Sequence, residues 1–189
     1  ILAYGMGVKG WPCIPLIILI HVIGLIFGAV QGFLIGYLKI QPFIITMAGM
    51  FFARGMTAVI CTDQISITQQ MNPTFYKWAN AKINLPKFLG YVNKKGKTVV
   101  PFIRPTVVLA LLVVALIFFI LKYTKFGRRL YAVGGNQQSA TMMGLNVKAT
   151  KMKAYMLSSF LCSIGGICYC LNTMSGSVQQ ALGFEMNTT

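Results

Sequence analysis

Acidic side chains are almost missing: Asp63 and Glu185 are the only two in 189 residues, against 17 lysines and arginines. Histidine is limited to His21. A catalytic site needs a nucleophile with a base beside it, and neither acid neighbours that histidine in sequence, so enzyme chemistry is disfavoured. A metal centre lacks ligands for the same reason. The five cysteines, Cys13, Cys61, Cys162, Cys168 and Cys170, are odd in number and show no Cys-x-x-Cys spacing. An ion-coupled secondary transporter, the alternative from a different class, needs ionisable groups at the bilayer midplane, and both acids fall outside the apolar stretches. The opening residues also lack the basic, apolar and small-residue layout of a secretory leader.

What is abundant is apolar. Hydrophobic residues make up 56% and charged ones 10% of the chain, against about 45–50% and about 25% in soluble domains. Four apolar spans, 11–38, 42–60, 105–121 and 152–171, come close to or exceed the roughly 20 residues that cross a ~30 Å hydrocarbon core. The expected fold is all-α, a polytopic membrane helix bundle, with residues 1–189 forming part of one transmembrane domain. Polar residues 61–104 join the second and third spans, and a basic loop, 122–151, joins the third and fourth. Because the cations sit between spans, anionic lipid headgroups account for them better than nucleic acid does.

Within the first span Gly24, Gly28, Gly32 and Gly36 recur every four residues and form one stripe along a helix, a surface that another helix can approach closely. Ser158, Cys162 and Gly166 in the fourth span form a second small-residue face, expected to pack against that stripe. Polar groups inside spans usually face protein or water; Gln31, Thr46, Arg54 and Ser159 are the candidates for a transport pathway, with snorkelling or carbonyl contact the favoured role for Arg54. Two nucleotide-like motifs fail on context. Gly5 to Gly10 fits Gly-x-Gly-x-x-Gly but leads into Trp11-Pro12, and is expected to be a surface loop. Gly90 to Thr98 nearly spells a phosphate loop but has one residue too many and enters Val99-Val100-Pro101 rather than a helix.

The loop 122–151 contains a deliberately bounded element. Asn136 is a good helix N-cap, Gln137 to Met143 suffice for two turns, and Gly144 suits a left-handed stop. Met142, Met143 and Leu145 are expected to be exposed, which implies a partner.

At these residues a family resemblance emerges. Pro42-Phe43-Ile44-Ile45-Thr46-Met47-Ala48-Gly49, Phe126-Gly127-Arg128, Tyr131-Ala132-Val133-Gly134-Gly135-Asn136 and Gly144-Leu145-Asn146-Val147 resemble the permease subunits of binding-protein-dependent ABC importers. The ribose and simple-sugar branch, with its galactofuranose-type members, looks closest. The resemblance implies a bacterial inner-membrane permease that carries no cofactor of its own. Its partners would be a second permease subunit, two ATP-binding subunits holding ATP and magnesium, and an outer sugar-binding protein. It assigns Asn136, Gln137, Gln138, Ser139, Ala140, Met142, Met143, Gly144 and Leu145 to a cytoplasmic coupling helix, with Gln138 replacing the family's glutamate. It also implies that further helices flank this stretch, making it a fragment from the middle of such a permease. A branched-chain amino-acid permease is the neighbouring alternative. Lysines and arginines number eight on each side, so the orientation rests on the resemblance rather than on charge.

Overall fold

A computed structural model describes residues 1–68, 73–80, 83–84, 91–92, 98–99 and 102–176. Among the described residues four helices are long and apolar enough to cross a membrane: α2 (Cys13–Gly36), α3 (Pro42–Ile60), α5 (Pro105–Tyr123) and α8 (Val147–Thr173). The shortest, at 19 residues, rise roughly 28 Å at 1.5 Å per residue, about one hydrocarbon thickness. Shorter helices are α1 (Leu2–Gly7), α4 (Pro73–Asn80), α6 (Lys125–Gly135) and α7 (Gln137–Met142). Pro42 and Pro105 occupy the first turns of α3 and α5, where a missing N–H costs nothing and the fixed φ favours helix.

The spans keep the expected order, but α8 starts earlier than its apolar run. Its first turns carry Lys148, Lys151 and Lys153, which conceal the helix from a criterion based on apolarity. Asn146 begins it by accepting a hydrogen bond from the Ala149 N–H at 3.0 Å.

The centre of the fold is the pairing of α2 with α8. A Cβ placed on Gly28 would lie 2.7 Å from the Ser159 Cβ, one on Gly32 2.9 Å from the Met152 Cα, and one on Gly36 2.9 Å from the Lys148 carbonyl oxygen. Only glycine allows backbones this close. The partner face on α8 is therefore Lys148, Met152, Tyr155, Ser159 and Ser163, and not the expected Ser158, Cys162 and Gly166. Those three are exposed, and a Cβ on Gly166 would meet nothing within 4 Å. The spacing of four was right in kind, but the facing set is rotated by one residue, about 100° around the helix.

At the end of the bundle away from α7, Leu2, Met6, Cys13, Leu16, Phe75 and Cys170 belong to one buried cluster. Residues 2–7 are thus a helix rather than the expected surface loop: Leu2, Ala3 and Met6 fall on one face and are buried. Beside them β1 (Ile65–Ser66) pairs antiparallel with β6 (Ser175–Gly176). In the long connection, β2 (Ile83–Asn84) pairs with β5 (Phe102–Ile103), and β3 (Tyr91–Val92) with β4 (Thr98–Val99). The phosphate-loop-like run therefore ends in a strand, without the helix N-terminus that phosphate binding requires.

Candidate docking site

The turn from α5 into α6 is built around Thr124 and Gly127. The Gly127 N–H donates to Thr124 Oγ1 at 3.3 Å, capping α6. A Cβ at Gly127 would collide with the backbone carbonyl of Leu121. Glycine there is what lets α6 fold back tightly against the end of α5. Phe126, Leu130 and Val133 are half-buried, while Arg128, Arg129 and Tyr131 are exposed. This amphipathic helix was missed in a stretch that looked like plain basic loop; the Thr124 cap and the 126–130–133 apolar spacing were the available signals.

α7 is bounded at both ends by its own chain. Asn136 Oδ1 accepts from the Ser139 N–H at 2.9 Å. At the other end Gly144 takes φ +74°, with Leu145 N–H donating to the Ala140 carbonyl at 3.1 Å and Gly144 N–H to the Thr141 carbonyl at 3.0 Å. This double closure is a Schellman stop. The helix ends at Met142, with Met143 as its cap residue.

Met142 is 80% and Met143 66% exposed, with Gln138 and Ser139 also exposed. Two of the expected contact residues behave otherwise. Ala140 is fully buried, since the turn faces it inward, and Leu145 is half-buried beside a cavity of about 510 Å³ that lies between α7, the start of α8 and the α2–α3 turn. Gln137 is held on that inner side by Lys151, whose Nζ donates to its Oε1 at 2.9 Å. The outward face of α7 is thus methionine and small polar groups, while its inward side buries Ala140 and turns Gln137 and Thr141 toward the lysine-lined cavity.

The four pathway candidates are not gathered into one place. A Cβ on Gly49 of α3 would collide with the Gln31 amide, so Gln31 fills the α2–α3 contact. Ser159 lies in the α2–α8 seam against Gly28. Thr46 Oγ1 donates to the carbonyls of Pro42 at 3.0 Å and Phe43 at 3.1 Å, so its hydroxyl is engaged by its own helix. Arg54 is half-buried on α3. A second cavity, of about 370 Å³, sits at the far end and is lined in part by Thr57, Asp63, Ser163 and Tyr169; none of the four candidates borders it.

Among the described residues, four membrane-length helices and a close-packed glycine seam define a polytopic α-helical membrane protein. All of residues 1–189 match the family described as branched-chain amino acid transport system / permease component, and the chain belongs to it. Among curated relatives it is 34% identical to the inner membrane ABC transporter permease protein YjfF of Escherichia coli, over 89% of this chain and 46% of that protein. It is 33% identical to the fructose import permease protein FruG of Bifidobacterium longum, over 94% of this chain and 50% of the relative. The ribose import permease protein RbsC of Haemophilus influenzae is 30% identical, over 92% and 48%. The chain thus spans about half the length of the curated relatives it matches. No solved structure matches it.

Proposed function

We propose that this chain is part of the membrane-spanning permease subunit of an ATP-driven sugar importer in the bacterial inner membrane. It would line the passage, while ATP and magnesium are handled by separate ATP-binding subunits and an outer binding protein delivers the sugar. A second permease subunit completes the passage. The observation that carries this reading is α7, a short helix fixed at both ends whose outward face presents Met142 and Met143 to solvent. Methionine adapts to a partner's shape, and exposing two together has a cost unless something covers them. Movement of the partner would pass through α7 and α8 to the bundle as rigid-body rotation.

Membership of a family described by branched-chain amino acids supports a second reading, amino-acid import; relatives whose names specify fructose and ribose favour sugar. The test uses the assembled transporter in proteoliposomes. Met142→Glu and Gly144→Val should insert normally yet lose stimulation of ATP hydrolysis by the permease. Normal coupling in both variants would defeat the docking role. Uptake of leucine but not of sugars by the unaltered transporter would select the second reading.

A further inference from the structure

The cavity between the α2–α3 turn and the start of α8 is lined by Lys39, Lys148 and Lys151, together with Gln41, Gln137 and Thr141. Its charge has no acidic counterpart beside it: neither 33–60 nor 105–176 contains an Asp or Glu, and among the described residues the acid, Asp63, lies at the opposite end of the bundle. Lys39 moreover adopts φ +55°, a left-handed conformation that side-chain-bearing residues rarely take and that glycine would hold freely. Backbone outliers of this kind concentrate at functional sites.

We propose that this cavity binds the phosphate-bearing headgroup of an anionic phospholipid. A phosphate oxygen is the natural acceptor for three ammonium groups and the neighbouring amides. Basic pockets between membrane helices are known settings for such headgroups. The position selects a lipid over a soluble anion. The cavity lies where α2 ends and α3 begins, at the ends of two membrane-length helices where headgroups would sit, and Phe43 and Ile44, 64% and 56% exposed, lead from it along α3 where acyl chains would run. It also selects a lipid over an acidic protein surface, because Met142 and Met143 do not line the cavity. A bound headgroup would tie the α2–α3 turn to α7 and α8 by neutralising lysines from both sides.

The experiment titrates the full chain in detergent with phosphatidylglycerol, with phosphatidylcholine of the same acyl chains, or with inorganic phosphate, and reads binding by native mass spectrometry. Each surface lysine contributes enough that Lys39→Gln/Lys148→Gln should weaken phosphatidylglycerol binding about 30-fold, with phosphatidylcholine unaffected. Lys122→Gln, at the same end of the bundle, should change neither, and Lys148→Arg should keep the preference. Unchanged phosphatidylcholine binding shows that the double variant is folded; if it is lost, Lys148→Gln alone, expected to weaken phosphatidylglycerol roughly fivefold, decides the matter. Equal affinity for the two lipids, or full selectivity in the glutamine variants, overturns the proposal. Displacement of phosphatidylglycerol by inorganic phosphate would make this a free-anion site instead. Loss of the ATP-hydrolysing partner with lipid selectivity intact would reassign the lysines to an acidic protein contact.

Discussion

The glycines show how one missing methyl group decides where helices meet. Gly28 has the Ser159 Cβ and the Tyr155 carbonyl oxygen 2.7 Å and 2.8 Å from where its own Cβ would be, so any larger side chain must push α2 and α8 apart. Gly166, on the same α8, faces open space. Gly28→Val is therefore expected to lower the thermal unfolding midpoint of the purified protein, with overpacking costing about 1–3 kcal/mol. Gly166→Ala should leave that midpoint unchanged or raise it, since alanine is better in a helix by about 1 kcal/mol. Equal effects of the two would refute the seam. The periodic glycines were plain in the sequence, whereas the partner face was misplaced by one residue. Spacing along one helix specifies a stripe; it says nothing of how the opposing helix is rotated.

Among the elements, α7 owes its boundaries to local chemistry, and local chemistry is what can be read from a chain. Asn136 and Gly144 were identifiable because a capping amide and a left-handed glycine act on groups within a few residues. Asn136→Ala should weaken α7 by about 1 kcal/mol, seen as roughly fivefold faster hydrogen exchange at the amides of α7, with the α2 and α8 amides unaltered. No change in α7 would mean that packing, not the cap, maintains it. Local signals were less useful for α6, whose glycines and arginines suggest loop. Its helical state is stabilised by folding Phe126, Leu130 and Val133 back toward the bundle, a tertiary contribution that outweighs weak intrinsic propensity. The buried state of Ala140 is likewise a product of neighbours that the six residues of α7 do not contain.

At the scale of the molecule, the two ends of the bundle are chemically unlike. The α7 end gathers Lys39, Lys122, Lys125, Arg128, Arg129, Lys148, Lys151 and Lys153 without an acid, whereas Asp63 lies at the opposite end beside the 370 Å³ cavity. The proposed orientation places the α7 end in the cytoplasm, where bilayers carry negative surface potential. A membrane-impermeant amine reagent on sealed cells should therefore modify Lys9 and spare Lys125 and Lys148; the reverse pattern would invert the orientation and remove α7 from any cytoplasmic partner. What the sequence by itself determined was the all-α membrane class, the four spans and the bounded α7. Transfer of apolar residues from water and capping of helix ends act residue by residue or across one turn. Only the tertiary structure decided that Ser159 and Ser163 meet the glycines, that Gln31 fills the contact with Gly49, and that three lysines from two segments line one cavity. Each of these depends on the relative rotation of helices more than 100 residues apart in sequence or on chain reversals between them, a property of packed surfaces that a one-dimensional pattern does not encode.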